Sequence, residues 1–233
     1  MLNKKKGLII YVKKIKDNDL FIKLLSSDDN IISGIVYGGN SSKKRSIYQN
    51  GFFIEFNLIQ KNINSVKSIN GELTPPFTGS IFFDKFKSFS LLSLISILNE
   101  SIYQDAKIHD LFLSVKELII SINSNKSWLS TYCKWLLDFL KLLGYEIEYK
   151  NIDNKYFNLQ TLNFENQSNN NDLLRFPYEL FEKNYVINSE SVSSLFTIFE
   201  TVYKKNNLNN YKETMPINYI NFKNLILDKL SNL

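Results

Sequence analysis

GLIIYVKKIKDNDLFIKLLSSDDNIISGIVYGG, residues 7–39, alternates apolar and polar side chains with a period near two, in three short runs broken by polar turns. That is the pattern of half-buried strands. The runs are Gly7–Ile15, Asp19–Ser26 and Asn30–Gly38, with DN and SSDDN between them. Two more runs of the same kind follow, Phe52–Gln60 and Ser65–Leu73, joined by KNIN. Five short strands in so few residues suit a small barrel of the OB type.

Pro75 and Pro76 impose extended or turn geometry and end the strand region. Beyond them the period becomes helical: Leu91, Leu94, Ile95, Leu98 and Ile102, then Leu111, Val115, Leu118, Ile119 and Ile122, then Trp128, Tyr132, Trp135, Leu136, Phe139 and Leu143, with Gly144 where a C-cap glycine belongs. A polar, asparagine-rich stretch from Tyr145 to about Asn188, including the NNND of Asn169–Asp172, reads as an irregular insert or small hairpin. A helix from about Ser191 to Lys204 follows, and Pro216 opens the last. The expected fold is therefore α+β: an OB-type barrel over residues 1–76, and a helical domain over 77–233 with the insert at about 145–188.

The chain has 233 residues, 44% hydrophobic and 22% charged, which excludes disorder throughout and allows one or two domains. Its net charge of +5 points to an anionic partner, and the distribution sharpens this. Residues 1–73 hold 11 lysines and Arg45 against 6 acids, a net +6, so the remaining 160 residues carry −1. The abundance of Asn, Ile and Lys, with Ala106 as the only alanine, is the mark of an AT-rich genome and discounts any single lysine. It does not explain their one-sided placement.

Catalytic arrangements have little to work with. His109 is the only histidine and sits near an expected helix start; Cys133 is the only cysteine and lies inside an apolar helix. A structural role is the reading for both. No intramolecular disulfide and no cysteine-based zinc site follow from one thiol, and no Walker loop or dinucleotide fingerprint occurs. The expectation is a non-enzyme with no cofactor and no metal. Leu8–Val12 is too short for a signal-peptide core or a membrane span, so a cytoplasmic protein in a reducing compartment, with no membrane partner, is expected.

The stretch between the third and fourth strands, YGGNSSKKRSIYQNG at residues 37–51, sets Lys43, Lys44 and Arg45 side by side behind a glycine pair. Glycines admit close backbone approach, Ser41 and Ser42 donate hydrogen bonds, and arginine grips an anion with two N–H groups, so the loop is a phosphate-binding candidate. The plainer alternative is a loop kept soluble by charge. On the strands, alternation sets Tyr11 with Lys13 and Phe21 with Lys23, where a ring stacks on a base while a lysine meets the phosphate. The alternative there is a barrel wall with the rings in the core and the lysines as solvated tips.

These residues together resemble the RecO family of bacterial recombination-mediator proteins over nearly the whole length. Residues 7–39 are similar to the family's first three strands. The loop is similar to an alphaproteobacterial pattern reading approximately G-G-R-S-R-R-x-R-P-x-L-Q-P-G, with Gly38, Gly39, Ser41, Lys43, Arg45, Gln49 and Gly51 on matching positions. Leu142–Tyr145 resembles the family's L-G-Y, and Met215-Pro216 its Leu-Pro. Asn40 and Ser42 stand where relatives often have arginine, Asn50 replaces a proline, and Tyr219 falls near an expected arginine. The four-cysteine zinc site of some members has no counterpart, since no cysteine follows Gly144.

The resemblance implies a nucleoid-associated protein that binds single- and double-stranded DNA and anneals complementary strands. It also implies a protein that engages the acidic C-terminal tail of the single-stranded DNA-binding protein, works with RecR, and so helps to load RecA. DNA contacts are then expected at Ser41, Lys43, Lys44, Arg45 and Gln49, with Tyr11, Lys13, Phe21 and Lys23 in second rank. Two other classes stay open: an interaction adaptor whose barrel has lost nucleic-acid binding, and an RNA-binding OB protein.

Overall fold

The computed structural model describes residues 4–60, 62, 65–104, 106–124, 126–150, 155–166, 172–182, 185–207 and 214–232. Five strands come first, β1 (Lys5–Lys14), β2 (Leu20–Ser26), β3 (Ile31–Val36), β4 (Phe53–Ile59) and β5 (Ser68–Leu73). Each covers the run that alternation marks out, to within a few residues at either end. Most of the KNIN turn lies outside the described residues.

The strands close into a barrel in the order β1-β2-β3-β5-β4. β1 is long enough to serve two neighbours: Gly7–Lys14 pairs with β2, while Lys5–Leu8 pairs with β4, both antiparallel. The seam on the other side is the parallel approach of β3 to β5 at Ile35 and Ser68. Ile9, Leu20, Ile22, Leu24, Ile32, Val36, Ile54, Phe56 and Ile69 fill the interior. This is the OB-type barrel that five short alternating strands imply.

A bulge between Ile9 and Tyr11 changes the phase of β1. Strict alternation from the inward Ile9 would turn Tyr11 inward as well. The extra residue Ile10 instead sets Tyr11 opposite Lys23 on the outer wall and lets Val12 pack against the interior.

The proline pair ends the strands, and a 3-10 turn at Gly79–Phe83 leads into α1 (Lys85–Ser101), followed by α2 (Leu111–Ser124). The Asp84 carboxylate caps α1 by accepting from the N–H groups of Phe86 and Lys87. The cap of α2 comes from the barrel: Asp29, in the β2–β3 turn, accepts from the N–H groups of Asp110 (3.0 Å) and Phe112 (2.8 Å). The compact units are accordingly Met1–Ser124 and Asn125–Leu233. Secondary structure thus changes type at Pro75-Pro76, whereas compactness groups α1 and α2 with the barrel.

The second unit contains α3 (Trp128–Leu142), α4 (Ser189–Asn207) and α5 (Ile217–Ser231). Tyr145 N–H bonds to the Leu140 carbonyl and Gly144 N–H to that of Lys141, with Gly144 at φ +90°, which is a Schellman ending for α3. Phe196, Phe199, Tyr203, Tyr219 and Phe222 are buried with Tyr132, Cys133 and Phe139. The segment expected as an irregular insert or small hairpin holds a three-stranded antiparallel sheet among its described residues: β6 (Tyr156–Asn158), β7 (Phe164–Glu165) and β8 (Leu173–Arg175), in the order β7-β6-β8. Rings scattered among asparagines supply its core, with Phe164 5.3 Å from Phe157 and 5.2 Å from Phe176 between centroids. Asn169–Asn171 of the NNND run lie outside the described residues.

Candidate nucleic-acid interface

The basic loop is a braced structure. At its start the Gly38 N–H donates to the Asp19 carboxylate (2.9 Å) and the Asn40 N–H to the Asn18 carbonyl (2.8 Å), which ties the loop to the β1–β2 turn. The Ser41 carbonyl accepts from the N–H groups of both Lys44 and Arg45, so the triplet sits on a tight turn. At its end the Gly51 N–H bonds to the Ile9 carbonyl, and Thr78 donates its hydroxyl to the Gly51 carbonyl at 2.8 Å. Gly51 has φ +85°, and a Cβ there would lie 2.8 Å from Leu91 Cδ2, so only glycine suits the position.

The central pin is Tyr48, which the sequence reading passed over. Its ring belongs to the barrel core at 2% exposure, and its hydroxyl both donates to the Gly71 carbonyl (3.1 Å) and accepts from the Gly71 N–H (3.0 Å). Burial holds its phenol above the ordinary value. The clue was available: an aromatic residue three positions after a basic triplet, in a loop otherwise built of small polar residues.

With the backbone held in this way, Lys43 and Arg45 are exposed and Lys44 is half-buried. Among the described residues no acidic side chain pairs with any of the three, whereas Lys4 meets Glu55 and Lys5 meets Asp28. Their charges are available to a ligand. Gln49 is exposed, but its amide donates to the Arg45 carbonyl at 2.5 Å, so it braces the turn from which Arg45 projects. The glycine pair also differs in role from the one expected: Gly38 forms the turn at φ +64°, and Gly39 is buried against Val36.

The four strand residues are brought together on the outer wall of β1 and β2, where Tyr11 stands opposite Lys23 and Lys13 opposite Phe21. The rings meet edge to face at 6.4 Å, and neither is in the barrel interior. Lys23 is partly spent: its Nζ lies 5.5 Å from the Tyr11 ring centre and donates to Asn99 on α1 at 3.1 Å. Lys13 is exposed. The turn following Lys13, Lys14 and Lys16 is the one to which the basic loop is tied.

The remaining reactive groups fit structural roles. His109 is exposed and paired with Asp110 at 2.8 Å, just before α2. Cys133 is buried, and burial pushes its thiol up to about 12. Among the described residues no group of three or more His, Cys, Asp or Glu side chains is placed to hold a metal ion, and no helix is long and apolar enough to cross a membrane. Tyr219 is fully buried in α5, so standing near an expected arginine takes nothing from the exposed surface.

A closed five-stranded OB-type barrel that braces a basic loop, whose Lys43, Lys44 and Arg45 have no acidic partner among the described residues, defines an OB-barrel protein with helices following the barrel in the chain. No family model matches the chain. It is similar to the DNA repair protein RecO of Rickettsia canadensis (strain McKiel), at 24% identity over 142 residues, 61% of this chain and 58% of that protein. It is also similar to the DNA repair protein RecO of Rickettsia felis, at 26% identity over 142 residues, 61% of this chain and 59% of that one. An uncharacterized protein of Rickettsia prowazekii matches at 26% identity over 109 residues, 47% of this chain and 93% of that protein. The chain is thus similar to RecO proteins, and its match spans less than two thirds of the length of those relatives.

Proposed function

We propose that this chain is a DNA repair protein of the recombination-mediator kind, which binds single- and double-stranded DNA and anneals complementary strands without a covalent step. The observation that carries the reading is the braced loop whose Lys43, Lys44 and Arg45 have no acidic partner among the described residues. Annealing asks a protein to neutralise two phosphate backbones while leaving base edges free to pair. A cationic loop with a braced backbone meets that need, since the backbone carrying the charges has little left to order at each encounter. The N-terminal concentration of positive charge and the kinship with proteins named for DNA repair support the same reading.

The contacts proposed are Lys43, Lys44 and Arg45 to phosphate, with Ser41 beside them and Gln49 as a brace. Lys13 and the Tyr11–Phe21 pair follow on the outer wall, with Lys23 the weakest contributor. RecR, the acidic tail of the single-stranded DNA-binding protein and, through them, RecA are proposed partners on the strength of the family resemblance. An enzymatic role is not part of the proposal.

The test is the triple variant Lys43→Ala, Lys44→Ala, Arg45→Ala, titrated with labelled single-stranded DNA at several salt concentrations. Each lost phosphate contact should reduce the slope of log K against log salt by about 0.7. A variant with the parent's affinity and slope would remove the loop from the interface. Recovery of a protein partner, with no DNA binding even at low salt, would favour the adaptor instead.

A further inference from the structure

Lys23 on β2 and Ser33 on β3 are cross-strand partners, and Tyr11 on β1 stands opposite Lys23, so one row of the barrel's outer wall reads Tyr11, Lys23, Ser33. Side chains opposed in this way have Cβ atoms about 4.5–5.5 Å apart. An ammonium and a hydroxyl at that spacing are two hydrogen-bond donors that suit one phosphate group.

The end of α1 already engages both donors. Lys23 Nζ donates to Asn99 Oδ1 at 3.1 Å, and the Ser33 hydroxyl donates to Gln104 Oε1 at 3.0 Å. Both acceptors are amide oxygens, and they take the place that phosphate oxygens would take on the same two donors. The ammonium also lies 5.5 Å from the Tyr11 ring centre, so the aromatic face beside it is occupied too. In the next row, Lys13, Phe21 and Ile35, the lysine is exposed.

The position of α1 does not depend on these two bonds. Leu91, Leu94, Ile95 and Leu98 bury the helix, and the Ile108 N–H ties the following turn to the Asp29 carbonyl at 3.1 Å. A bond between solvent-accessible side chains exchanges for bonds to water at little net gain. Its main effect here is to keep the donors occupied.

We infer that Asn99 and Gln104 form an autoinhibitory contact, which occupies the Lys23–Ser33 donor pair and withholds from DNA one phosphate site of the outer wall. The inference rests on the DNA reading of the barrel and adds a restraint on it: the wall binds below its capacity while the end of α1 holds the pair. Release of the two amides raises DNA affinity without adding a residue to the surface.

The experiment titrates labelled single-stranded DNA at several salt concentrations with four proteins, each checked for folding by circular dichroism. They are the parent, Lys23→Ala, the double variant Asn99→Ala with Gln104→Ala, and the triple variant that adds Lys23→Ala to it. The double variant should bind more tightly than the parent, with a slope of log K against log salt steeper by about 0.7, the share of one phosphate contact. That slope makes the gain about fivefold at ~0.1 M salt if it vanishes near ~1 M. Adding Lys23→Ala should return affinity and slope to the parent's values, whereas Lys23→Ala in the parent should change them little. Asn99→Asp, nearly isosteric, gives Lys23 a carboxylate in place of the amide and should leave the slope unchanged, because Lys23 is already withheld. A fall in its slope by about 0.7 would put Lys23 on DNA in the parent and overturn the contact. A double variant with the parent's affinity and slope, or with weaker binding, or with a gain that survives Lys23→Ala, would also overturn it while leaving the loop contacts of Lys43, Lys44 and Arg45 standing. Failure of the parent to bind DNA at low salt would overturn the DNA reading and the autoinhibitory contact together.

Discussion

The Tyr48 hydroxyl and the Gly71 backbone satisfy each other: the hydroxyl donates to the carbonyl at 3.1 Å and accepts from the N–H at 3.0 Å. One phenol thereby fixes the basic loop to β5 from inside the barrel. Tyr48→Phe keeps the ring and strands two backbone groups, at a cost of about 1–3 kcal/mol. Urea denaturation should show a lower midpoint with an unchanged m-value.

Lys13 and Lys23 stand on the same wall in different circumstances. Lys13 is exposed, while Lys23 is held by Asn99 and the Tyr11 ring. Lys13→Ala should lower the salt slope of single-stranded DNA binding by about 0.7, and Lys23→Ala by much less. Equal effects would mean that Lys23 leaves Asn99 when DNA arrives.

Asp29 caps α2 from the β2–β3 turn, through the N–H groups of Asp110 and Phe112. Asp29→Ala should cost about 0.5–2 kcal/mol. Hydrogen exchange should locate the loss in the first turn of α2, with the interior strands of the barrel keeping their relative protection.

Cys133 links stability to alkaline pH. Its thiol is raised by burial from 9.0 to about 12, so between those values the unfolded chain ionises while the folded one stays protonated. The contribution is complete below pH 9.0 and is lost as pH rises towards about 12. Cys133→Ala should therefore show a shallower fall in stability over this window. The parent thiol should react with a disulfide reagent only at the rate of opening.

Most of the barrel was legible because alternation at period two carries through all five runs and the turns between them are polar. The helices were legible for the same reason at their own period. The bulge at Ile10 was not, because three consecutive buried residues, Leu8, Ile9 and Ile10, read equally well as an unbroken strand. The small sheet of the second unit was hidden by brevity: its strands are two or three residues long, and its core is aromatic contact across sequence gaps. At the interface the cations were visible as a run. What positions them, Tyr48 reaching Gly71 and Gln49 turning back to Arg45, depends on pairings that no local pattern encodes.

The grouping of α1 and α2 with the barrel decides how this protein can be dissected. A fragment cut at the proline pair would lose Phe112 from beside Phe53 and Asn99 from Lys23, and would leave Asp29 with no helix to cap. The smallest excisable piece that carries the basic loop therefore ends near Ser124, and a graft onto another scaffold would have to carry both helices with it.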